Sequence, residues 1–173
     1  MQNNNVSTIQ KIAAYLIIIL TVCSFTIMRT HKNQSTKEKQ EAFRTEIESV
    51  LSNSLLHLYN NDLENTVCEY INPEFTDVLN NKFKKANSIM SSSELVLSNV
   101  KLNKNRIYST TKKKVKYVIY DGTVELQWIN KKTNTKTDKA IKGIKGYVLK
   151  DKDSERYSLA NIELNNLEWE IPL

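Results

Sequence analysis

Residues 115–130 read VKYVIYDGTVELQWIN, and the fold turns on how the Asp-Gly pair at the centre is read. Val115, Tyr117 and Ile119 alternate onto one face. Val124, Leu126 and Trp128 do the same after the break, which is the period-two pattern of half-buried strands. Asp121-Gly122 between such runs is either the tight turn of a hairpin or a glycine bulge within one long strand. The first reading gives more and shorter strands, the second fewer and longer ones. Either way short connections imply antiparallel pairing, and a sheet of four to six strands is expected.

The pattern extends in both directions from this stretch. Upstream, Leu95 to Leu102 reads as a strand, with Ile107-Tyr108 as a short continuation. Downstream, Lys131 to Lys139 is a polar loop and Ile141 to Leu149 a strand, with Lys142-Gly143-Ile144-Lys145-Gly146 read as strand with bulges. Asp151-Lys152-Asp153-Ser154 is a turn, and Tyr157 to Leu164 is the next strand. Leu167, Trp169 and Ile171 then alternate with Glu168 and Glu170 in a terminal extended piece.

Before Ser91-Ser92-Ser93 the period is helical. Ser35-Thr36-Lys37-Glu38 has the form of a capping box, and Phe43, Ile47, Val50, Leu51, Leu55 and Leu58 follow on one face. Asn60-Asn61-Asp62 is expected to end that helix and to cap a shorter one holding Leu63, Val67 and Ile71. Asn72-Pro73-Glu74 supplies an N-cap, a proline at the first helical position and an acid in the first turn. Phe75, Val78, Leu79, Phe83, Ala86, Ile89 and Met90 continue the amphipathic pattern. Three helices over 36–91 followed by an antiparallel sheet make an α+β domain, with the sheet curling over the helical layer.

The chain begins differently. From Ile12 to Met28 there are 17 uncharged residues, bracketed by Lys11 and Arg29. As a helix this run spans roughly 25 Å, enough for a short membrane crossing. No small-residue cleavage site follows it, which argues against a cleaved signal. Leu20-Thr21-Val22-Cys23 approaches a lipid-modified cysteine pattern, but Val22 stands where a small residue belongs and the apolar run continues past Cys23. The expected organisation is a short polar segment at 1–11, a single-pass anchor at 12–28, a linker at 29–35 and a domain at 36–173. Arg29, Lys32, Lys37 and Lys39 follow the anchor and only Lys11 precedes it, so the positive-inside rule favours a cytoplasmic domain. Large domains translocate largely regardless of charge, and the expectation is an extracytoplasmic one at the cell membrane.

Net charge is +6, unevenly distributed: +3 over 1–36, −4 over 37–100, +11 over 101–152 and −4 over 153–173. Lys112-Lys113-Lys114 and the loop lysines Lys131, Lys132, Lys136 and Lys139 form one positive rim if they flank neighbouring strands. Such a rim attracts the phosphates of DNA, teichoic acid or lipid headgroups. The plainer reading is solvated loops and protected sheet edges. Tyr108, Tyr117, Tyr120, Trp128 and Tyr147 lie nearby, and core packing accounts for them more simply than base stacking.

Catalytic signatures are missing. His31, His57 and Cys68 have no metal-ligand spacing, and Cys68 falls at an apolar helical position. The three glycines, at 122, 143 and 146, make no phosphate cradle. Asp77 and Glu163 have no partner in the sequence. No enzyme, cofactor or metal is expected.

A short polar start, one anchor, an amphipathic helix and then helices followed by a curled sheet resemble the bitopic scaffold component of bacterial type IV secretion and conjugation channels, in its Gram-positive form. The closest local echo is Arg156-Tyr157-Ser158-Leu159-Ala160-Asn161-Ile162. The resemblance implies a cystatin-like cone, of the kind first described for nuclear transport factor two. It also implies a non-catalytic subunit that associates with itself and with other envelope proteins during DNA transfer. The Leu167–Ile171 piece has no place in that pattern. The alternative is an extracytoplasmic ligand-binding module or lipoprotein using a cone-fold pocket. A pilin-like subunit lacks the acid expected early in its apolar helix, and a cone-fold enzyme needs facing ionisable groups inside its pocket.

Overall fold

The computed structural model describes residues 3–60, 69–137, 139–151 and 154–164; of the first 33 residues it describes the side chains of Thr21, Ser24 and Arg29 alone, and it leaves out those of Lys104 and Asn105. Helix α1 runs unbroken from Asn3–Asn60. The capping box at Ser35 therefore does not open a helix, and the expected linker at 29–35 is helical. Residues 29–35 contain neither proline nor glycine, and lengthening an existing helix avoids the cost of a new nucleus. Among the described residues no helix is long and apolar enough to cross a membrane. The expected anchor Ile12–Met28 belongs to α1 by its backbone, and its side chains other than Thr21 and Ser24 lie outside the described residues.

The chain divides into two compact units, residues 1–43 and 44–173. The first is the α1 segment up to Phe43, exposed along 34–42. The second is an α+β body with two helical segments on an antiparallel sheet. Its share of α1 buries Ile47, Val50, Leu51, Leu55 and Leu58, which lie on the expected face at three-to-four spacing, and also Ser54 and Tyr59.

Most of the expected second helix falls in 61–68, outside the described residues. Ile71, placed at its end, is not helical. It forms a one-residue parallel bridge with Leu159, held by Asn72 N–H to the Leu159 carbonyl at 2.9 Å and Leu159 N–H to the Tyr70 carbonyl at 2.7 Å. The restart at Asn72 is as read: its side chain accepts from the Glu74 N–H at 3.1 Å, and Pro73–Phe75 makes a single 3-10 turn. Helix α2, Thr76–Ser92, follows and buries Leu79, Phe83, Ala86 and Met90.

Among the described residues four strands follow: β1 Leu95–Lys112, β2 Val115–Asn130, β3 Ala140–Lys150 and β4 Tyr157–Leu164. They form an antiparallel meander in sequence order. Asp121-Gly122 is not a turn. Asp121 pairs with Arg106 and Lys145, Gly122 pairs with Ile144, and no glycine has a positive φ. The extra residue lies on the partner strand, where Asn103 to Arg106 of β1 opposes Thr123 to Asp121. A second irregularity separates Leu97 from Asn99. The Ile107-Tyr108 continuation is therefore part of one long β1. On β3 the register with β2 is regular, and the bulge expected there lies on β4, opposite Tyr147 and Val148. The terminal piece Leu167–Ile171 lies outside the described residues.

Helix α1 packs close against the sheet at Gly146. A Cβ on that residue would sit inside contact distance of Leu51 Cδ2 and 3.2 Å from Cδ1. Nearby, the Tyr59 ring meets Phe83 edge-on at 5.1 Å and Trp128 at 6.2 Å, joining α1, α2 and β2. Burial drives the Tyr59 phenol above the ordinary tyrosine range. Asn60 closes the helix by accepting from the Leu97 N–H at 2.8 Å and donating to the Leu97 carbonyl at 3.0 Å, so its amide pairs with the edge of β1 as a strand would.

Gly146→Ala is expected to cost about 1–3 kcal/mol, because neither Leu51 nor the sheet can move without disturbing packed neighbours. In a Leu51→Ala background the same substitution should cost much less. Urea unfolding of the four proteins in this cycle measures the coupling, and strictly additive losses would mean that the two positions do not touch.

Candidate functional site

The lysines singled out in the sequence do not form one rim. Lys112 ends β1, and Lys113-Lys114 is the two-residue turn into β2. Lys131 and Lys132 start the loop at the opposite end of β2, Lys136 bridges Ile129, and Lys139 leads into β3. The two groups are separated by the length of β2, roughly 50 Å of extended strand. The cause is the continuity of β2 through Asp121-Gly122: a turn there would have folded the two groups back together, and the unbroken strand holds them apart.

The two ends also differ electrostatically. At the loop end Lys132 pairs with Glu94 at 2.5 Å and Lys139 with Glu125 at 2.8 Å. The hydrogen bond from Lys139, with the added charge of Lys101, holds the Glu125 carboxyl below its usual range against the opposing effect of desolvation. A cleft of ≈ 400 Å³ at this end, bordered by Tyr59, Met90, Leu95 and Lys131, includes the Glu94–Lys132 pair.

At the hairpin end Lys113 and Lys114 have φ of 48° and 67°. Two central residues with positive φ mark a type I′ turn, whose twist suits a hairpin but which favours Asn and Gly. Lys112 places its Nζ 5.0 Å above the Tyr147 ring.

A second cleft, ≈ 370 Å³, opens beside this end. Phe75 comes from the 3-10 turn, Val78 and Lys82 from α2, Lys112 from β1, Tyr117 from β2 and Tyr147 from β3. Ala160 and Asn161 come from the bulge of β4. Tyr117 and Tyr147 meet edge-on at 6.2 Å. Lys82 Nζ donates to Asn161 Oδ1 at 2.6 Å and to the Ile162 carbonyl at 3.1 Å. Tyr147 is buried, and its phenol is pushed up to about 12 by that burial, by the hydrogen bond to Glu163 and by the surrounding negative charge. Its folded value lies above the unfolded one, near 10. The neutral phenol thus stabilises the fold below about pH 10, and the contribution is lost as pH rises from 10 to about 12.

Core packing holds for Tyr120 and Trp128, which are buried, but not for Tyr108, which is 40% exposed. Phe75, Val78, Lys82 and Asn161 were not singled out as site residues. Phe75 and Val78 share the apolar periodicity of α2, and periodicity does not separate a groove wall from a core contact. His57 lies half-buried in α1, and Asp77 is exposed in the first turn of α2. Glu163 serves Tyr147. The side chain of His31 and the whole of Cys68 lie outside the described residues. Among the described residues no three His, Cys, Asp or Glu side chains come together to hold a metal.

Replacing Lys113-Lys114 by Asn-Gly should raise stability by about 1 kcal/mol, since both residues tolerate positive φ better than lysine. The check is a higher urea midpoint with an unchanged slope; a lower midpoint would rule out this turn.

Comparison of the chain with known protein families, with curated proteins and with solved structures finds no match.

Proposed function

We propose that this protein is a non-catalytic, single-pass assembly subunit of a conjugative type IV secretion channel, with its α+β body outside the cell membrane. The observation that carries this reading is the continuity of α1. A single helix includes the apolar run at 12–28 and, from Ile47 on, side chains that belong to the core of the second unit. A helix with no proline, glycine or other breaker between these parts suits a tether that also belongs to the fold it holds. Two helical segments on a bulged antiparallel meander suit the cystatin-like cone, because bulges bend and twist the strands that carry them. In this reading the partners are other channel subunits and further copies of the chain. The exposed lysines, such as Lys113 and Lys114, make weak contact with DNA or an anionic wall polymer.

A second reading, an extracytoplasmic ligand-binding module, is favoured by the aromatic cleft at the hairpin end. Fatty-acid labelling at Cys23 would select its lipoprotein form.

The channel reading predicts that the intact polypeptide stays in the membrane pellet after alkaline carbonate washing. It also predicts that crosslinking in the native host captures envelope proteins of the transfer apparatus. Recovery in the soluble fraction, or crosslinks to cytosolic proteins alone, contradicts it.

A further inference from the structure

We propose that the cleft between α2 and the hairpin end of β1–β2 binds a small organic anion: a flat apolar body, such as an aryl ring, bearing one acidic group. The inference rests on the cleft alone. It holds whether the chain is a channel scaffold or a binding module, and its failure leaves the anchored-scaffold reading intact.

The cleft wall favours a ring. Tyr117 and Tyr147 stand nearly perpendicular, at 89°, and so offer one ring face and one ring edge to an occupant. Val78 is 53% exposed although it lies on a helix whose neighbouring apolar residues, Leu79 and Phe83, are buried. The volume of ≈ 370 Å³ falls at the small end of ligand sites.

The charge favours an anion. Among the described residues two lysines line the cleft and no acidic residue does. Among the described residues neither lysine is in an ion pair, whereas Lys132 and Lys139 at the other end each hold a carboxylate. Lys82 is fixed in place by two neutral oxygens, Asn161 Oδ1 and the Ile162 carbonyl. These accept two of its protons and leave the third, with the full charge, for a ligand. Lys112 is steadied over the Tyr147 ring, which likewise leaves its charge uncompensated. The carboxylate of Glu163 accepts from the Tyr147 hydroxyl and is not part of the cleft lining. Two cations at the mouth of an apolar cleft do not make the extended track that a nucleic-acid backbone needs. They suit one compact anionic head group with an apolar body below it.

The test uses the full-length protein in lipid nanodiscs and isothermal titration with naphthalene-2-sulfonate, its neutral counterpart naphthalene-2-sulfonamide, and inorganic phosphate. Empty nanodiscs serve as the blank. The sulfonate should bind one per chain and at least about tenfold more tightly than the sulfonamide or phosphate. Lys82→Gln, which keeps a donor for Asn161, and Lys112→Gln should each weaken it about threefold to tenfold. Val78→Trp, at an exposed position, should fill the cleft and abolish binding while leaving the melting temperature unchanged. Equal binding of sulfonate and sulfonamide would overturn the proposal. So would undiminished binding in folded Val78→Trp, or no binding at millimolar probe.

Discussion

The seat of Leu51 on the bare backbone of Gly146 sets the spacing of the second unit. With no side chain on the strand, the helix comes close enough for Leu51, Leu55 and Tyr59 to reach full burial against the sheet. Close packing is where dispersion and area burial both act, and a gap of one methyl group forfeits much of each. That approach brings the Tyr59 ring between Phe83 and Trp128 and carries Asn60 to the edge of β1. A single glycine thereby ties the depth of α1 to the position of α2 and to the register of the outermost strand.

The same strand links the core to the cleft. Gly146 faces the helix, so Tyr147 faces the opposite side, because successive residues of a strand alternate. Across that face the register aligns Tyr108, Ile119, Tyr147 and Asn161, one from each strand. The next row aligns Arg106, Asp121, Lys145 and Glu163. The second row alternates in sign, with Asp121 3.7 Å from Arg106 and 3.8 Å from Lys145. Exposed pairs of this kind add little energy individually, but opposite charges directly across strands oppose a slip in register. They also explain how an aspartate stays in the middle of a long strand.

Much of the architecture was legible in the sequence. The amphipathic faces of α1 from Ile47 and of α2 marked most of the buried residues, Asn72-Pro73-Glu74 marked the restart, and alternation located the strand segments while leaving their number between four and six. The misreadings came from local signals outweighed by longer-range structure. Ser35-Thr36-Lys37-Glu38 looks like a helix start only if the preceding residues are not already helical. Asp121-Gly122 is open to a turn or to one long strand, and only the pairing of Asp121 with Arg106 and Lys145 decides for the strand. The real hairpin, at Lys113-Lys114, has none of the residues that usually announce a type I′ turn, so no turn was read there. The cleft was not legible, because Phe75, Lys82, Tyr147 and Asn161 are distant in sequence and are gathered only by the β4 bulge and the end of α2.

The central claim is that the last turns of α1 are core elements of the α+β body rather than the end of a free helical stalk. Native-state hydrogen exchange on the full-length chain tests it most directly. If the claim holds, amides at 50–59 and at 146–148 open with the same free energy, set by global unfolding, and shift together when the body is destabilised. Exchange at 50–59 that is orders of magnitude faster than in β3, at the rate of an exposed helix, would contradict it.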